Sequence, residues 1–156
     1  MKKISFLTKL RKQNKLSLVE PSEEIKDSYI LKSESNIASS KILLENNRLE
    51  ESVALTYYSM YHMVTALLFK VGIKCENHTA TIILLKELFN IDNSDISHAK
   101  TERLDKQYYT DFSITKQEVT EAIKNAEMFN GNLLDFLSKI NNKNVEKYRE
   151  LFEEIS

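Results

Sequence analysis

Glycine and proline are nearly absent from this sequence: its 156 residues include 2 Gly and 1 Pro. Sheet-rich folds need frequent turns, and these two residues supply much of the turn chemistry. Long helices joined by short polar loops need few of either. Hydrophobic residues make up 42% of the chain, which is enough for the core of one domain of this length. The sequence therefore predicts an all-α fold, an antiparallel up-and-down bundle of four to five helices.

The charge is unevenly distributed along the chain. Residues 1–19 hold six bases and no acid, whereas the rest of the chain holds 16 bases and all 23 acids, a net charge of −7. We expect residues 1–19 to form a basic, solvated and loosely docked segment, whose weakly amphipathic pattern would suit a short helix. An arm that contacts nucleic acid or an acidic partner is the alternative. The predicted organisation is this basic segment, a helical bundle over residues 20–140, and a C-terminal helix over residues 141–156.

The expected compartment follows from one cysteine and from the absence of membrane signals. Cys75 has no second cysteine to pair with, which suits a reducing environment. No apolar run approaches the ~20 residues that a membrane span needs. The N-terminus is basic but lacks the apolar run and cleavage site of a secretory signal. We therefore expect a cytoplasmic protein with no membrane contact.

Local signals mark the ends of the helices. Polar breaks and apolar spacing predict helices at about residues 23–46, 49–71, 78–90, 95–108, 115–140 and 145–155. Gly72 is expected to end the second of these in the left-handed conformation that glycine tolerates. Thr115 and Glu118 form the signature of a capping box, and Gly131 predicts a kink or an early end in the long helix that follows.

The helix predicted at residues 49–71 is apolar on nearly every face. Such a helix belongs in the middle of a bundle or at a dimer seam. Its apolar residues exceed what one bundle face can bury, so the sequence predicts a homodimer. Tyr57, Tyr58 and Tyr61 are interpreted as core or dimer packing, with stacking on bases as the alternative.

Several common kinds of site are missing from the sequence. Three scattered histidines and one cysteine have no metal-ligand spacing, and no glycine-rich phosphate loop occurs, so we predict no metal and no cofactor. Ser59 and His62 lie three residues apart without the supporting pattern of a hydrolase triad. His62 is interpreted as a core histidine, and His78 as a residue at a helix start that forms local hydrogen bonds.

Three stretches together resemble the HEPN family. The first is residues 54–72, where a small residue, a tyrosine pair, a small residue, an apolar residue, an aromatic residue and His62 are followed by Ala-Leu-Leu and Gly72. The second is His78 at the start of the next helix. The third is residues 100–112, followed by a capped long helix. The resemblance covers about residues 22–137, and its order of features is more specific than any single motif.

The resemblance implies an antiparallel helical bundle, usually a symmetric dimer and often encoded beside a minimal nucleotidyltransferase. Many relatives are metal-independent ribonucleases with an Arg-x(4–6)-His signature, in which histidine moves a proton and arginine stabilises phosphorane charge. Arg103 lies where the family has its arginine, but Tyr108 and Tyr109 stand at the histidine positions. Tyrosine has a pKa near 10 and is a poor base at neutral pH. The ribonuclease signature is therefore absent from this sequence.

The residues around Arg103 form the candidate site. Helical spacing predicts a cationic edge that would contact RNA or nucleotide phosphates, and its members are Lys100, Arg103, Lys106, Tyr108, Tyr109 and Asp111. Arg103 and Tyr108 are the candidate catalytic residues. The competing interpretation is a solvated helix face with a Glu102–Lys106 pair.

Three functional hypotheses follow. The first is a HEPN-type dimer that binds RNA or nucleotide phosphates and works with a nucleotidyltransferase in a toxin–antitoxin-like or defence module. The second is a metal-independent endoribonuclease that uses Arg103 with Tyr108, or with His62 or His78 brought near by folding. The third is a structural interaction module whose helices dock a partner.

Overall fold

The described part of the chain is almost entirely helical. The computed structural model describes residues 2–108 and 113–156, and for residues 2–5 and 105–108 it describes the backbone alone. These residues form seven helices and two short strands: α1 (Lys2–Lys12), β1 (Leu16–Leu18), α2 (Glu23–Glu45), α3 (Leu49–Lys70), β2 (Ile73–Cys75), α4 (His78–Glu87), α5 (Ser94–Tyr108), α6 (Lys116–Ser138) and α7 (Asn142–Ile155). The predicted all-α class is confirmed. No helix in these ranges is long and apolar enough to cross a membrane.

Helix α2 begins and ends where its local sequence directs. The Ser22 hydroxyl accepts a hydrogen bond from the Ile25 amide at 3.1 Å, and acids occupy the first turn, where the helix dipole favours them. At the other end the Asn46 side chain donates to the Ile42 carbonyl at 2.8 Å. Asn47 then adopts the left-handed conformation with φ of 59°, which turns the chain into α3.

Small hydroxyl side chains hold α2 and α3 together. Ser33 and Ser59 each donate a hydrogen bond to the other's carbonyl, at 2.7 and 2.9 Å. Ser40 and Ser52 do the same at 2.9 and 2.8 Å. The two pairs run in opposite chain directions, so the helices are antiparallel. Because these side chains are short and fully paired, the helices can pack closely without leaving a buried polar group unsatisfied.

Helix α3 is the central element of the protomer. It packs against α2, α4, α5, α6 and β2, and thirteen of its residues are buried, on all sides of the helix. The prediction that it lies in the middle of the bundle is consistent with this packing. The expected apolar patch on α3 is wrong, because neighbouring helices of the same chain cover it. A homodimer therefore gains no support from this helix.

Two strands appear where the sequence predicted a solvated head and a loop. β1 and β2 pair antiparallel, with Leu16 opposite Cys75 and Leu18 opposite Ile73. Gly72 precedes β2 with φ of 77°, which confirms the predicted left-handed end of α3. Val19 donates its amide to the Gly72 carbonyl at 2.8 Å and extends the pairing by one residue.

Arg149 of α7 connects the end of α3 to the residue that follows β1. Its Nη1 donates to the carbonyl oxygens of Val19, Val71 and Gly72 at 2.8, 3.0 and 2.9 Å. Carbonyls at the end of a helix lack intrahelical partners and carry partial negative charge, which favours a cation there. The guanidinium therefore fastens the last helix to the turn between α3 and β2.

The N-terminal segment is docked, which corrects the expectation of a loose head. Leu7 and Leu10 are 0% and 4% exposed and belong to the main core, while Lys9 and Lys12 face solvent. Arg11 lies 4.9 Å above the Phe152 ring and pairs with Glu153 at 2.9 Å. Helix α1 has few apolar residues, but Leu7 and Leu10 are buried where α1 contacts α4 and α7.

Helix α6 continues through Gly131, so the predicted early end is wrong, and the alternative of a kink stays a prediction. The helix runs unbroken from Lys116 to Ser138 and begins with the Thr115 hydroxyl accepting from the Glu118 amide at 3.1 Å. Its apolar stripe, which includes Ile123 and Leu133, is buried against the core. Burial of that stripe outweighs the roughly 1 kcal/mol that a mid-helix glycine costs. The three-segment division of the chain stays a prediction.

Candidate phosphate-binding site

Arg103 lies between α5 and the tyrosine pair of α3. Its Nη1 donates a hydrogen bond to the Tyr58 hydroxyl at 2.9 Å. The guanidinium carbon is 5.2 Å from the centroids of both the Tyr57 and the Tyr58 ring, within the range of a cation–π contact. Its Nε is buried and has no hydrogen-bond partner among the described atoms. The guanidinium is thus positioned by aromatic rings.

His78 is fixed beside the same tyrosines. Asn77 caps α4 by accepting from the Ala80 amide at 2.9 Å, and this cap sets the position of the first helical residue. The His78 Nδ1 lies 2.8 Å from the Tyr57 hydroxyl, and its ring stacks on Tyr61 with centroids 4.0 Å apart. A hydrogen bond and a stacking contact together fix the orientation of this imidazole.

The protonation states of His78 and Tyr57 follow from burial and from nearby cations. Burial lowers the pKa of His78, and the positive charges of Arg103 and Lys100 lower it further. Burial raises the pKa of Tyr57, so its hydroxyl stays protonated. The imidazole is therefore neutral at pH 7. When the Tyr57 hydroxyl donates to Nδ1, Nε2 carries the proton; when Nδ1–H donates instead, Nε2 can accept one.

Lys100 is a second cation at this site. Its Nζ donates to the Thr79 hydroxyl at 2.8 Å. Burial, and then the charge of Arg103, lower the pKa of Lys100. Of the carboxylates whose side chains the structure describes, none forms an ion pair with Lys100 or Arg103, and the Glu102 carboxylate lies 3.8 Å from His98 instead. The described side chains of the site therefore carry an excess of positive charge beside aromatic rings.

His62 adjoins the site through Tyr58 and has a separate environment. Its Nδ1 accepts a hydrogen bond from the Asn36 amide at 3.1 Å, and its ring stacks against Tyr29 at 5.7 Å and Tyr58 at 6.2 Å. Burial is the largest cause that lowers the pKa of His62 to about 4, and the charge of Lys32 adds to it. The interpretation of His62 as a satisfied core histidine is consistent with these contacts.

Acid should destabilise the fold through His62. Between pH 6.5 and about 4 the unfolded chain protonates this imidazole and the folded chain does not, so stability falls as the pH falls. After allowance for partial exposure, we expect His62 to account for about 1–2 kcal/mol of that loss. Urea unfolding at pH 7.5 and pH 5 measures it: His62→Gln should lose less stability between the two pH values than the wild type. His98→Gln, at an exposed position, should behave as the wild type; if His62→Gln does too, the assignment is wrong.

The structure brings together only part of the site that the sequence predicted. Arg103, Lys100 and His78 lie around Tyr57 and Tyr58. The side chains of Lys106 and Tyr108, and the whole of Tyr109 and Asp111, lie outside the described residues. The pairing of Glu102 with Lys106 is outside them as well. Ser59 is engaged with Ser33 and Asn130 in the helix interface.

The tyrosines of α3 differ from one another in exposure. Tyr57 is buried as expected, but Tyr58 and Tyr61 are half-buried and line the site. The spacing of Tyr58 and His62, one helical turn apart and both polar at their tips on an otherwise apolar helix, is a signal that could have indicated a site. Among the described residues no three His, Cys, Asp or Glu side chains form a group that could hold a metal ion.

Comparison with known proteins places this arrangement in a family. The model of the HEPN domain matches residues 26–134, a range that contains α3, α4, α5 and most of α2 and α6. A protein of Methanocaldococcus jannaschii named as a putative toxin is 30% identical over 103 residues, which cover 62% of this chain and 76% of that protein. A UPF0332 protein of Pyrococcus horikoshii is 38% identical over 60 residues, covering 38% of this chain and 42% of that protein. The chain belongs to the HEPN domain family.

Proposed function

We propose that the site around Arg103 binds the phosphate groups of RNA or of nucleotides. The observation that carries the proposal is a pair of cations, Lys100 and Arg103, that have no ion-pair partner among the described carboxylates and lie beside aromatic rings. A guanidinium presents donors in a planar fork that matches phosphate oxygens. Lys100 adds a second charge on the same side of α5. The half-buried rings of Tyr58 and Tyr61 offer faces or edges to the attached base.

The biological setting proposed is a toxin–antitoxin-like module. The name of the M. jannaschii relative supports it, as does membership of the HEPN family. In this setting the protein acts as a homodimer and has a nucleotidyltransferase as its partner. Support for the dimer comes from the family's usual organisation alone. Helix α3 does not add to it, because neighbouring helices of the same protomer cover its apolar residues.

A second candidate function is metal-independent RNA cleavage. It is favoured by one observation, the position of His78 beside Arg103, where Tyr57 connects the two residues. A neutral imidazole with Nε2 unprotonated could take the 2′-hydroxyl proton while Arg103 stabilises the phosphorane. His62 suits this role less, because its Nδ1 already accepts a hydrogen bond from Asn36, which leaves the proton of the neutral ring on Nε2. The third candidate, a structural interaction module, would leave Arg103 without a ligand.

Arg103→Ala should weaken the binding of RNA about ten- to a hundredfold. A hydrogen bond to a charged group contributes roughly 1.5–3 kcal/mol, and each 1.4 kcal/mol is tenfold in affinity. Titration of a fluorescent single-stranded RNA, at fixed salt and without divalent metal, measures the dissociation constant. Arg103→Lys keeps the charge but loses the fork, so its affinity should fall between the wild type and the alanine variant.

Arg48→Ala is the matched control for the arginine test. Arg48 has a side chain 64% exposed and pairs with Glu51 at the surface, far from the tyrosines. Arg149 is unsuited to this purpose, because its guanidinium holds three backbone carbonyls. Equal weakening by Arg103→Ala and Arg48→Ala would mean that bulk electrostatics, and not this site, binds RNA.

Incubation of the purified protein with total RNA, without metal, separates binding from cleavage. If the second candidate is correct, fragments appear with the wild type and with His98→Gln and are lost with Arg103→Ala and with His78→Gln. If the first is correct, RNA is bound and stays intact. Cleavage that survives His78→Gln and disappears with Tyr108→Phe would instead assign the proton transfer to the tyrosine at the histidine position of the family signature.

A further inference from the structure

His78 and Arg103 approach the same two aromatic rings from different helices. The centroid of the His78 ring lies 5.9 Å from that of Tyr57 and 6.1 Å from that of Tyr58. The guanidinium carbon of Arg103 lies 5.2 Å from each of these two centroids. Lys100 reaches the same place from α5, because its Nζ donates to the hydroxyl of the residue that follows His78. The imidazole is therefore a neighbour of both cations of the proposed phosphate site.

Aromatic rings and positive charges surround His78 among the described groups. Those that face it are Tyr57, Tyr58 and Tyr61 of α3, with His62 beyond them, and Lys100 and Arg103 of α5. Before it in the chain, burial raises the pKa of the Cys75 thiol, and Glu76 pairs with Lys74 at 3.4 Å. No carboxylate whose side chain the structure describes pairs with Lys100 or Arg103, and the side chains of residues 105–108 and the whole of 109–112 are outside that description. The described charges beside the imidazole are therefore positive.

These positive charges oppose a further charge on His78. Burial is the largest cause that lowers the pKa of His78, and the charges of Arg103 and Lys100 lower it further. An anion near the two cations would act in the opposite direction, because a negative charge favours the protonated form of a nearby imidazole. The charge state of His78 therefore depends on whether the site holds a phosphate.

The Tyr57 hydroxyl can hold the imidazole in either charge state. It lies 2.8 Å from Nδ1, and a hydroxyl can donate to a bare nitrogen or accept from a protonated one. His62 lacks this freedom, because the Asn36 amide nitrogen, 3.1 Å from its Nδ1, can only donate. Protonation of His78 therefore needs no new side-chain partner.

We propose that His78 takes up a proton when the site binds an RNA phosphate, so that a third positive charge stands beside the phosphate in the complex. The uptake, which rests on the proposed function of the Arg103 site, makes RNA binding depend on pH. The phosphate charge offsets the repulsion that Arg103 and Lys100 exert on an imidazolium, so the pKa of His78 is higher in the complex than in the free protein. Affinity therefore rises as the pH falls, because the complex binds a proton that the free protein does not.

Titration of a fluorescent oligouridylate at pH 8 and at pH 6 tests the proton uptake. Its phosphodiesters and bases keep their charge over this range, and ionic strength is held constant without divalent metal. We expect the wild type to bind about three- to tenfold more tightly at pH 6, because a nearby opposite charge shifts a pKa by about one unit or more. His78→Gln should lose this gain. His98→Gln, at a position 75% exposed, should keep it.

Imidazole chemical shifts of the wild type measure the uptake without any substitution. Titration of pH with and without saturating oligouridylate gives the pKa of His78 in each state, and the spectrum of His78→Gln identifies its signal. The pKa should be about one unit higher in the complex. Circular dichroism checks that both glutamine variants fold.

The possible results separate the proton uptake from the function on which it rests. Absence of RNA binding at every pH would overturn both. Binding that Arg103→Ala weakens, with the same pH dependence in the wild type and in His78→Gln, would overturn the proton uptake and leave the phosphate site standing. A pKa of His78 that RNA leaves unchanged would have the same consequence. Loss of the pH dependence in His98→Gln would assign the proton to that surface histidine and contradict the role of His78.

Discussion

Replacing Gly72 with alanine should lower the free energy of unfolding by about 2–5 kcal/mol. The backbone of Gly72 has φ of 77°, a conformation that costs a residue with a Cβ roughly 1–2 kcal/mol. The new Cβ would also collide with Arg149 Nη1 and the Val19 carbonyl oxygen, and would lie 2.9 Å from the Pro21 nitrogen. Displacing the guanidinium weakens its charged hydrogen bonds, which adds roughly 1.5–3 kcal/mol. Urea unfolding followed by circular dichroism measures the sum.

Gly131→Ala is the matched control for Gly72→Ala. Gly131 lies inside α6 with helical backbone and open space around it, so alanine should stabilise the protein by about 0.5–1 kcal/mol. The same chemical change is therefore expected to have opposite signs at the two glycines. A loss of less than about 0.5 kcal/mol for Gly72→Ala would show that α7 can move aside at little cost.

Deleting residues 1–12 should cost about 3 kcal/mol or more of stability. Fully burying a leucine contributes about 1.5–3 kcal/mol, and this segment buries both Leu7 and Leu10. The Arg11–Glu153 pair adds little, because Glu153 is 54% exposed. The measurement is the urea midpoint of the shortened chain against the wild type.

A charge variant separates burial from electrostatics in the deletion. Lys9→Gln with Lys12→Gln removes two exposed bases of α1 and should leave the urea midpoint nearly unchanged. Leu7→Ala with Leu10→Ala should reproduce most of the effect of the deletion. An unchanged urea midpoint in the shortened chain would contradict the docking of α1 and support the loosely docked segment that the sequence predicted.

Helix positions could be predicted because their signals are local. Ser22 with its following acids, Thr115 with Glu118, and Gly72 each act within one turn of the helix that they begin or end. The structure places those boundaries within a few residues of the predicted ones. Residues at such positions satisfy backbone groups of their own helix, so no knowledge of the rest of the fold is needed.

The strands and the docked head could not be predicted, because their partners are distant in sequence. β1 is three residues long and becomes a strand only because residues 73–75 lie beside it. Leu7 and Leu10 are too few to indicate a buried helix until α4 and α7 provide the surface that they cover. Short elements of this kind are decided by tertiary packing and not by propensity.

The candidate site could be predicted only in part, because some of its residues are brought together by contacts between distant segments. Arg103 and Lys100 were found from the spacing of cations on one helix and from the family resemblance. The tyrosines of α3 were interpreted mainly as packing residues, because Tyr58 and His62, one turn apart, were the one indication on an apolar helix that polar groups reach its edge. His78 joins the site through a hydrogen bond across 21 residues, a contact that only the fold creates.

The three carbonyls held by Arg149 make the end of α3 dependent on α7. Val19 and Arg149 are 130 residues apart, and Val71 and Gly72 lie between them. During synthesis from the N-terminus, the carbonyls at the end of α3 lack this cation until α7 has been made. A tag or fusion that pulls α7 away would therefore remove the cation from the end of α3 and loosen β1. Both changes lie far in sequence from the site of the fusion. The first effect of displacing α7 would be the loss of the Arg149 hydrogen bonds, ahead of the loss of buried apolar surface.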